Sequence, residues 1–599
     1  MRRATLAVAA AFATTAVAAV TLAAARPAAA QEQPEGQGQP EMPALLQKWT
    51  PVTDSLLQNP PDGEWLMWRG SYGHWGYSPL GQIHRGNVDQ LRLAWAWTMA
   101  PGLQETTPLV HDGVMFLAQA CDFVEALDAT DGTLLWDYRR ERVEHPAALA
   151  CANRTAALYE DKLFIATHDA HLVALDVHDG SVVWDVEVGN WKIGHHYSGG
   201  PMVIEGLVVA GMSGCYHINT GCWISAHDPD TGEEVWRTYT IPPAGEPGSE
   251  TWGKVPPDRR LGGSAWIAPS YDPELGLIFA GVAVPVPWGS VQRGSGDADL
   301  LYTNSTLALD PKTGEIVWYF QHLPGDEWDM DHAFGRIIVE TEVAPLPDEV
   351  EWINPALVPG ERRKVVTGVP GKPGLVWTLD AATGDFLWAR TTFYQNVIVG
   401  VDVEHRKGIA NPEIRHPEIG EEIVVCPHLT GGINWQSVAY SPLTNALYVP
   451  GNDVCMRYTL NDVHPPVGAH HDSAERTRIP APGSDGRVGR FTAVDVRTGR
   501  TLWELRQRAG FGGSVLTTAG GLVFATDDAR RFRAFDAETG EVLWEQLLNS
   551  SAGGFPVSYM VDGVQYVAIA AGGGPNYRAL TPEIRQRSGG NTLFVFRLP

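Results

Sequence analysis

The chain has 599 residues, 44 Lys and Arg against 70 Asp and Glu, and a formal net charge of −26; 19% of it is charged and 44% hydrophobic. This is a globular composition, which excludes a disordered or fibrous chain, and 6 Cys are too few for a disulfide-built scaffold. The acidic balance argues against nucleic-acid and anionic-membrane partners, whose phosphates call for Lys/Arg patches.

In chain order, residues 1–30 read as an export signal. Arg2 and Arg3 precede an Ala/Val/Leu/Thr stretch, and Ala28-Ala29-Ala30 offers a small-residue cleavage site, so the cut is expected near Ala30. Arg26 and Pro27 interrupt the end of this weakly apolar stretch, against a membrane anchor, and no later stretch is long and apolar enough to span a bilayer. The expected location is periplasmic, an oxidising compartment in which disulfides persist. Residues 31–46, rich in Gln, Glu, Pro and Gly, read as a flexible lead-in. Length alone suggests about four domains of roughly 150 residues, an estimate that repeat folds break, so repeats take precedence.

A repeat is present. One phrase, Ala-x-Asp, a few polar residues, Gly, three residues, Trp, recurs at 126–136, 174–184, 226–236, 308–318, 378–388, 493–503 and 534–544. Each copy reads as a strand, a tight turn and a strand ending in Trp. The Gly supplies a positive φ and the Asp caps the turn through its carboxylate. A Gly-punctuated hydrophobic strand precedes most copies, so each unit holds four short antiparallel strands. Radial repetition of such sheets is an all-β fold, a β-propeller, with the repeated Trp packed between neighbours. LRLAWAWT (91–98) and NTLFVFRLP (591–599) resemble the missing halves of a further unit, which makes an eight-bladed ring over 47–599, closed by both chain ends. The long stretch from 380 to 495 carries an extra hairpin-like run at 435–449 and a Pro/His/Asp-rich insertion loop at 463–487.

The phrase A-x-D-x-x-T-G-x-x-x-W resembles the tryptophan-docking motif of the PQQ-dependent quinoprotein alcohol dehydrogenases, and the resemblance runs from WRGSYGHWGYSPL (68–80) to the end. Non-catalytic propeller scaffolds of outer-membrane assembly carry similar phrases, so the site residues must decide. In GDEWD (325–329), Asp329 falls on the family's catalytic base, a carboxylate able to take the hydroxyl proton of an alcohol. Trp266 in GGSAW matches the indole beneath the quinone, and Ser264 a small cofactor contact. Arg154 in CANRTAALY suits a carboxylate of PQQ. Glu105, Ser198, Ser213, Gly214 and Asn434 match further cofactor contacts. Lys372 in GKPG stands where a cation faces the quinone oxygens. The resemblance implies oxidation of an alcohol to an aldehyde or ketone, with electrons passed to a separate soluble c-type cytochrome, since no C-x-x-C-H for covalent haem occurs.

The chain also departs from the pattern. The family's metal ion is held by PQQ, the catalytic Asp, a Glu and an Asn; here the Glu position reads Tyr216 or His217 and the Asn position Val284. Asp331 resembles the extra acid of the lanthanide-dependent branch. A calcium or lanthanide ion on Asp329 and Asp331 is therefore one expectation, and a metal-free site leaning on Lys372 and Arg154 the other. Cys426–Cys455 matches a family disulfide, Cys215 and Cys222 flank one loop and are expected to pair, and Cys121–Cys151 is expected as the remaining pair on the cofactor side, where the family's adjacent-Cys cover is replaced by Ala148-Leu149. Phe511 and Asn576 stand near the positions of two pocket aromatics, which implies a remodelled substrate pocket.

Overall fold

Seen in a computed structural model that describes residues 42–145, 151–217, 221–462, 474–573, 578–586 and 589–599, the chain is built almost wholly of short antiparallel strands. The expected export signal, most of the lead-in, Ala148-Leu149 and Asn576 lie outside the described residues. Leu109–His111, Val114–Gln119, Phe123–Asp128 and Leu134–Arg139 form one four-stranded sheet. The same strand order recurs within 157–187, 202–239, 270–321, 337–391, 439–507 and 516–547. A last sheet joins Arg92–Thr98 to Thr592–Arg597, Val564–Ala571 and Val557–Val561, so both ends of the chain meet in one sheet. Among the described residues no helix is long and apolar enough to cross a membrane.

The repeated phrase explains itself in these sheets. In its first copy Asp128 Oδ1 accepts from Thr130 N at 2.8 Å and from Thr130 Oγ1 at 2.6 Å, and Gly132 holds φ 79°. The small first residue of each copy lies directly across from the Trp, as in Ala126↔Trp136 and Ala534↔Trp544, and the register shifts by one residue at that pair. A small side chain there leaves the indole free to reach the next sheet, and the bulge turns the strand end toward it.

The indoles bridge sheet to sheet. Trp136 Nε1 donates to Val177 O at 2.7 Å, Trp184 to Pro229 O at 2.9 Å, Trp236 to Pro311 O at 2.9 Å and Trp318 to Ala381 O at 3.1 Å. Trp503 continues to Ala537 O, Trp544 to Leu91 O and Trp95 to Ala129 O. Each acceptor that belongs to a repeat copy directly follows its Asp, and the ring sits against that copy's Gly. A Cβ on Gly180 would meet Trp136 Cε3 at 2.6 Å, and one on Gly384 would meet Trp318 Cε3 at 2.4 Å. Trp388 differs: among the described residues its Nε1 has no partner, and Arg390 Nη1 reaches Gly499 O instead, at 2.5 Å.

Two features correct or extend the sequence reading. The run 435–449 is not an extra hairpin. Ala439–Ser441 and Ala446–Asn452 are the first two strands of a sheet completed by Gly489–Asp495 and Thr501–Gln507. The true insertion lies between the second and third of these strands, and it is partly strand: Val454–Leu460 pairs with Ala474–Pro480 and with Glu422–Val425. The strand AERTRIP lacks apolar alternation, so it reads as loop. The segment 65–80 strings separate sheets together through backbone bonds. Trp65 pairs with Val110, and carbonyls of Tyr72, Gly73, Trp75 and Gly76 accept from Tyr271, Ile338, Tyr440 and Thr517. Arg69, buried with φ 58°, donates to Val438 O and Val515 O.

The seating of indole on glycine gives a direct test. Gly180 holds φ 72° against the Trp136 ring. Gly180→Ala is expected to lower the unfolding free energy by about 1–3 kcal/mol, from backbone strain and overpacking together. Urea unfolding followed by Trp fluorescence measures it, and an unshifted midpoint would rule out this packing.

Candidate active site

The expected site residues converge. One cavity of about 370 Å³ is lined by Glu105, Arg154, Ser198, Ser213, Ser264, Trp266, Asp329, Asp331, Lys372 and Asn434, residues from widely separated stretches of sequence. Gly214 is the exception. It lies beside Ser213 without lining the wall, and a Cβ there would come 1.9 Å from Gly194 O, so only glycine fits.

Asp329 and Asp331 sit in the loop that follows strand Ile316–Gln321. Asp326 shapes this loop from beneath. Its Oδ1 accepts from Trp328 N at 2.7 Å, and its Oδ2 from Met330 N at 2.7 Å and Asn304 Nδ2 at 2.8 Å. Held this way, Asp329 takes φ 66°, a left-handed conformation costly for a non-glycine residue. Both carboxylates meet Lys372, whose Nζ lies 3.0 Å from Asp329 Oδ2 and 2.8 Å from Asp331 Oδ2. The lysine backbone is fixed too, its N–H donating to Asp331 O and its carbonyl accepting from Gly432 N, each at 2.9 Å. Burial pushes the Asp329 carboxyl up, against the pull of the Lys372 cation, with Asp331 adding to the rise. Burial draws Lys372 down, but the two acids outweigh it and its affinity for the proton rises overall.

A second buried ion pair occupies another part of the wall. Arg154 Nη2 lies 2.5 Å from Glu105 Oε2, and Nη1 donates to Ser198 O at 2.7 Å. The guanidinium lies 4.9 Å from the Trp266 ring centre, and Phe334 meets that ring edge-on at 5.4 Å. Burial raises Glu105 and lowers Arg154, and each partner opposes the other's shift. Arg154 Nε and Ser213 Oγ are buried with no hydrogen-bond partner among the described residues. The wall thus presents a flat indole, a guanidinium and a free hydroxyl, a donor set suited to a planar polycarboxylate.

All three expected disulfides are present: Cys121–Cys151, Cys215–Cys222 and Cys426–Cys455. The second pins the loop that carries Tyr216 into the wall, and Cys151 precedes the wall residue Ala152. Phe511 does not line the cavity; it is buried against Phe491. Val286, Trp288, Leu103 and Leu429, which the sequence does not mark as site residues, also line it, as does His196, which the sequence offers only as a partner of Asp329 in a hydrolase or lyase reading. Trp288 could have been flagged, because like Trp266 it stands outside the repeated phrase. The others carry no local signal.

Comparison with known proteins places the chain among relatives of known activity. A family model described as PQQ glucose/ethanol/alcohol dehydrogenase, beta-propeller domain, matches residues 65–392 and 403–567. The chain is 32% identical to the quinohemoprotein alcohol dehydrogenase ADH-IIG of Pseudomonas putida over 554 residues, covering 88% of this chain and 75% of that one. It is 32% identical to the quinoprotein alcohol dehydrogenase PedH of Pseudomonas putida over 579 residues, covering 91% and 93%. A europium-containing methanol dehydrogenase of known structure superimposes with a TM-score of 0.81 at 28% identity, covering 90% of this chain and 99% of that one.

The Arg154–Glu105 pair can be probed without any ligand. Glu105→Ala strands a buried guanidinium and is expected to cost about 3–5 kcal/mol of folding free energy. Chemical denaturation measures this, and a loss under about 1 kcal/mol, the scale of an exposed ion pair, would mean that the charge is balanced elsewhere.

Proposed function

The chain belongs to the PQQ-dependent alcohol dehydrogenase family, and we propose that it is a periplasmic enzyme that oxidises an alcohol to an aldehyde or ketone and passes the electrons to a separate soluble c-type cytochrome. The reading includes export by residues 1–30, cleavage near Ala30, a lead-in to residue 46 and a single eight-bladed propeller over 47–599 with tryptophan docking between blades. The succession of indole contacts that returns from Trp544 to Leu91 supports that ring. One observation carries the functional reading: Arg154, Trp266, Asp329 and Lys372, far apart in sequence, line one cavity.

The residues fit PQQ. Trp266 gives the floor, Arg154 and Ser213 take carboxylates, and Glu105, Ser198, Ser264, Asn434 and the backbone at Gly214 complete the cradle. When bound, PQQ supplies a quinone that accepts the hydride of the alcohol. Asp329 receives the hydroxyl proton. Its Oδ2 is held by Lys372, and among the described residues no hydrogen bond reaches its Oδ1, which is left for the substrate. Lys372 orients that carboxylate and places a positive charge where negative charge develops. Ala283, Val284, Val286, Trp288 and Leu429 add apolar lining to the cavity that holds the acids, and such lining excludes water from a reacting hydroxyl.

The family and its europium-containing member imply a metal ion alongside PQQ. The donor set here does not fit the expected calcium or lanthanide ion on Asp329 and Asp331. Hard cations take about six to eight oxygen ligands, and the acid pair is already engaged by Lys372. No step above depends on a metal.

Reconstitution with PQQ and an artificial dye tests the reading. The wild-type protein is expected to reduce the dye with at least one class of alcohol. Asp329→Ala should lose about 10²–10⁴-fold in kcat, the range of a general base, while keeping the bound-quinone absorbance. Undiminished turnover would remove Asp329 as the base.

A further inference from the structure

The carboxylate oxygens of the acid pair are nearly all in use. Asp329 Oδ2 and Asp331 Oδ2 both face Lys372 Nζ, at 3.0 and 2.8 Å. Asp331 Oδ1 accepts from Val284 N at 3.3 Å. Among the described residues only Asp329 Oδ1 takes no hydrogen bond or ion pair, and the proton of the substrate hydroxyl needs it. The neighbouring wall adds few oxygen donors. The side chains of Val284, Val286 and Trp288 offer none, and Tyr216 offers a phenol rather than a carboxylate.

The ammonium, by contrast, is compensated by both acids. A lysine has three N–H donors. Lys372 Nζ donates to Asp329 O at 2.9 Å and is ion-paired with both Asp329 Oδ2 and Asp331 Oδ2. The lysine cannot easily leave, because its backbone is bonded on both sides, to Asp331 O and Gly432 N. An incoming metal ion would have to take both carboxylates from a buried cation and leave that cation uncompensated, which is strongly unfavourable. The site is thus built around a fixed ammonium of the chain's own.

We propose that the Lys372 ammonium, seated between Asp329 and Asp331, takes the place of the metal ion that the family implies, so that this chain binds PQQ and oxidises its substrate with no metal at the acid pair. The inference rests on the PQQ reading above. It also gives Lys372 a double duty: it holds Asp329 in place and, among the described residues, supplies the one cation paired with it.

The full-length protein is stripped with EDTA, dialysed and titrated with PQQ in parallel arms containing chelator, calcium or lanthanum. Bound-quinone absorbance reports affinity, and elemental mass spectrometry reports metal per chain. The expected result is equal PQQ affinity in every arm and no stoichiometric metal in the dialysed complex. Stoichiometric metal, or PQQ binding only in a metal arm, overturns the proposal and leaves the PQQ reading standing. Folded protein that binds PQQ in no arm removes both. Lys372→Met is expected to weaken PQQ binding in chelator by on the order of 100-fold. Added calcium or lanthanum should restore it, because the freed carboxylates become a ligand set. A Lys372→Met protein that binds PQQ in chelator as tightly as the wild type overturns the proposal. If this variant does not fold, the wild-type titration decides alone.

Discussion

The architecture depends on an indole resting on the turn glycine of the next sheet. The contact works only if the turn residue lacks a Cβ and holds a positive φ, as Gly132, Gly180, Gly232, Gly314, Gly384 and Gly540 do. It also needs a small residue opposite the indole within its own sheet, and an acceptor carbonyl at a fixed place in the next turn. These demands on backbone, side-chain volume and hydrogen bonding are met by one eleven-residue phrase. Each copy presents a seat to the preceding sheet and an indole to the following one, so the sheets are held in succession. The exception shows what the rule requires. Where Trp388 finds no carbonyl, Trp352–Ile353 has been added alongside its strand, and Arg390 makes the bond to Gly499 in its stead.

Because the phrase repeats, this level of structure is legible in sequence. A pattern that recurs seven times identifies its own strands, turns and packing residue, and the two incomplete halves at the chain ends announce the sheet that joins them. The opposite holds for contacts made once. The segment 65–80 contributes bonds to separate sheets, but its partners are backbone groups at Tyr271, Ile338, Tyr440 and Thr517, and backbone groups leave no mark on residue choice. Ala474–Pro480 forms a strand in the insertion although its side chains show no alternation, because pairing with Val454–Leu460 overrides its weak propensity.

The cavity divides in the same way. Trp266, Arg154, Asp329 and Lys372 are legible because each stands in a short motif that matches the family's pattern. Val286, Leu103 and Leu429 are not, because an aliphatic residue on a wall looks like one in the core. The two acids and the lysine were each legible, but the bridging of both acids by one ammonium was not. It depends on Asp326 folding the 326–330 loop so that carboxylates two residues apart face the same side, and on Asp329 accepting a left-handed backbone to do so.

That strain bears on function. In an extended strand, residues two apart share a face as a matter of course; here the carboxylates share a face within a tight loop, at the cost of an unfavourable φ. The conformation survives because Asp326, Asn304 and Lys372 together over-determine it. Removing the lysine would release more than a charge: the loop would lose the tie that draws both carboxylates to one point. The position of the reacting carboxylate and the electrostatics around it are therefore set by one side chain. A change at Lys372 and a change at Asp329 should be read as perturbing a single unit, and their effects on turnover are not expected to add.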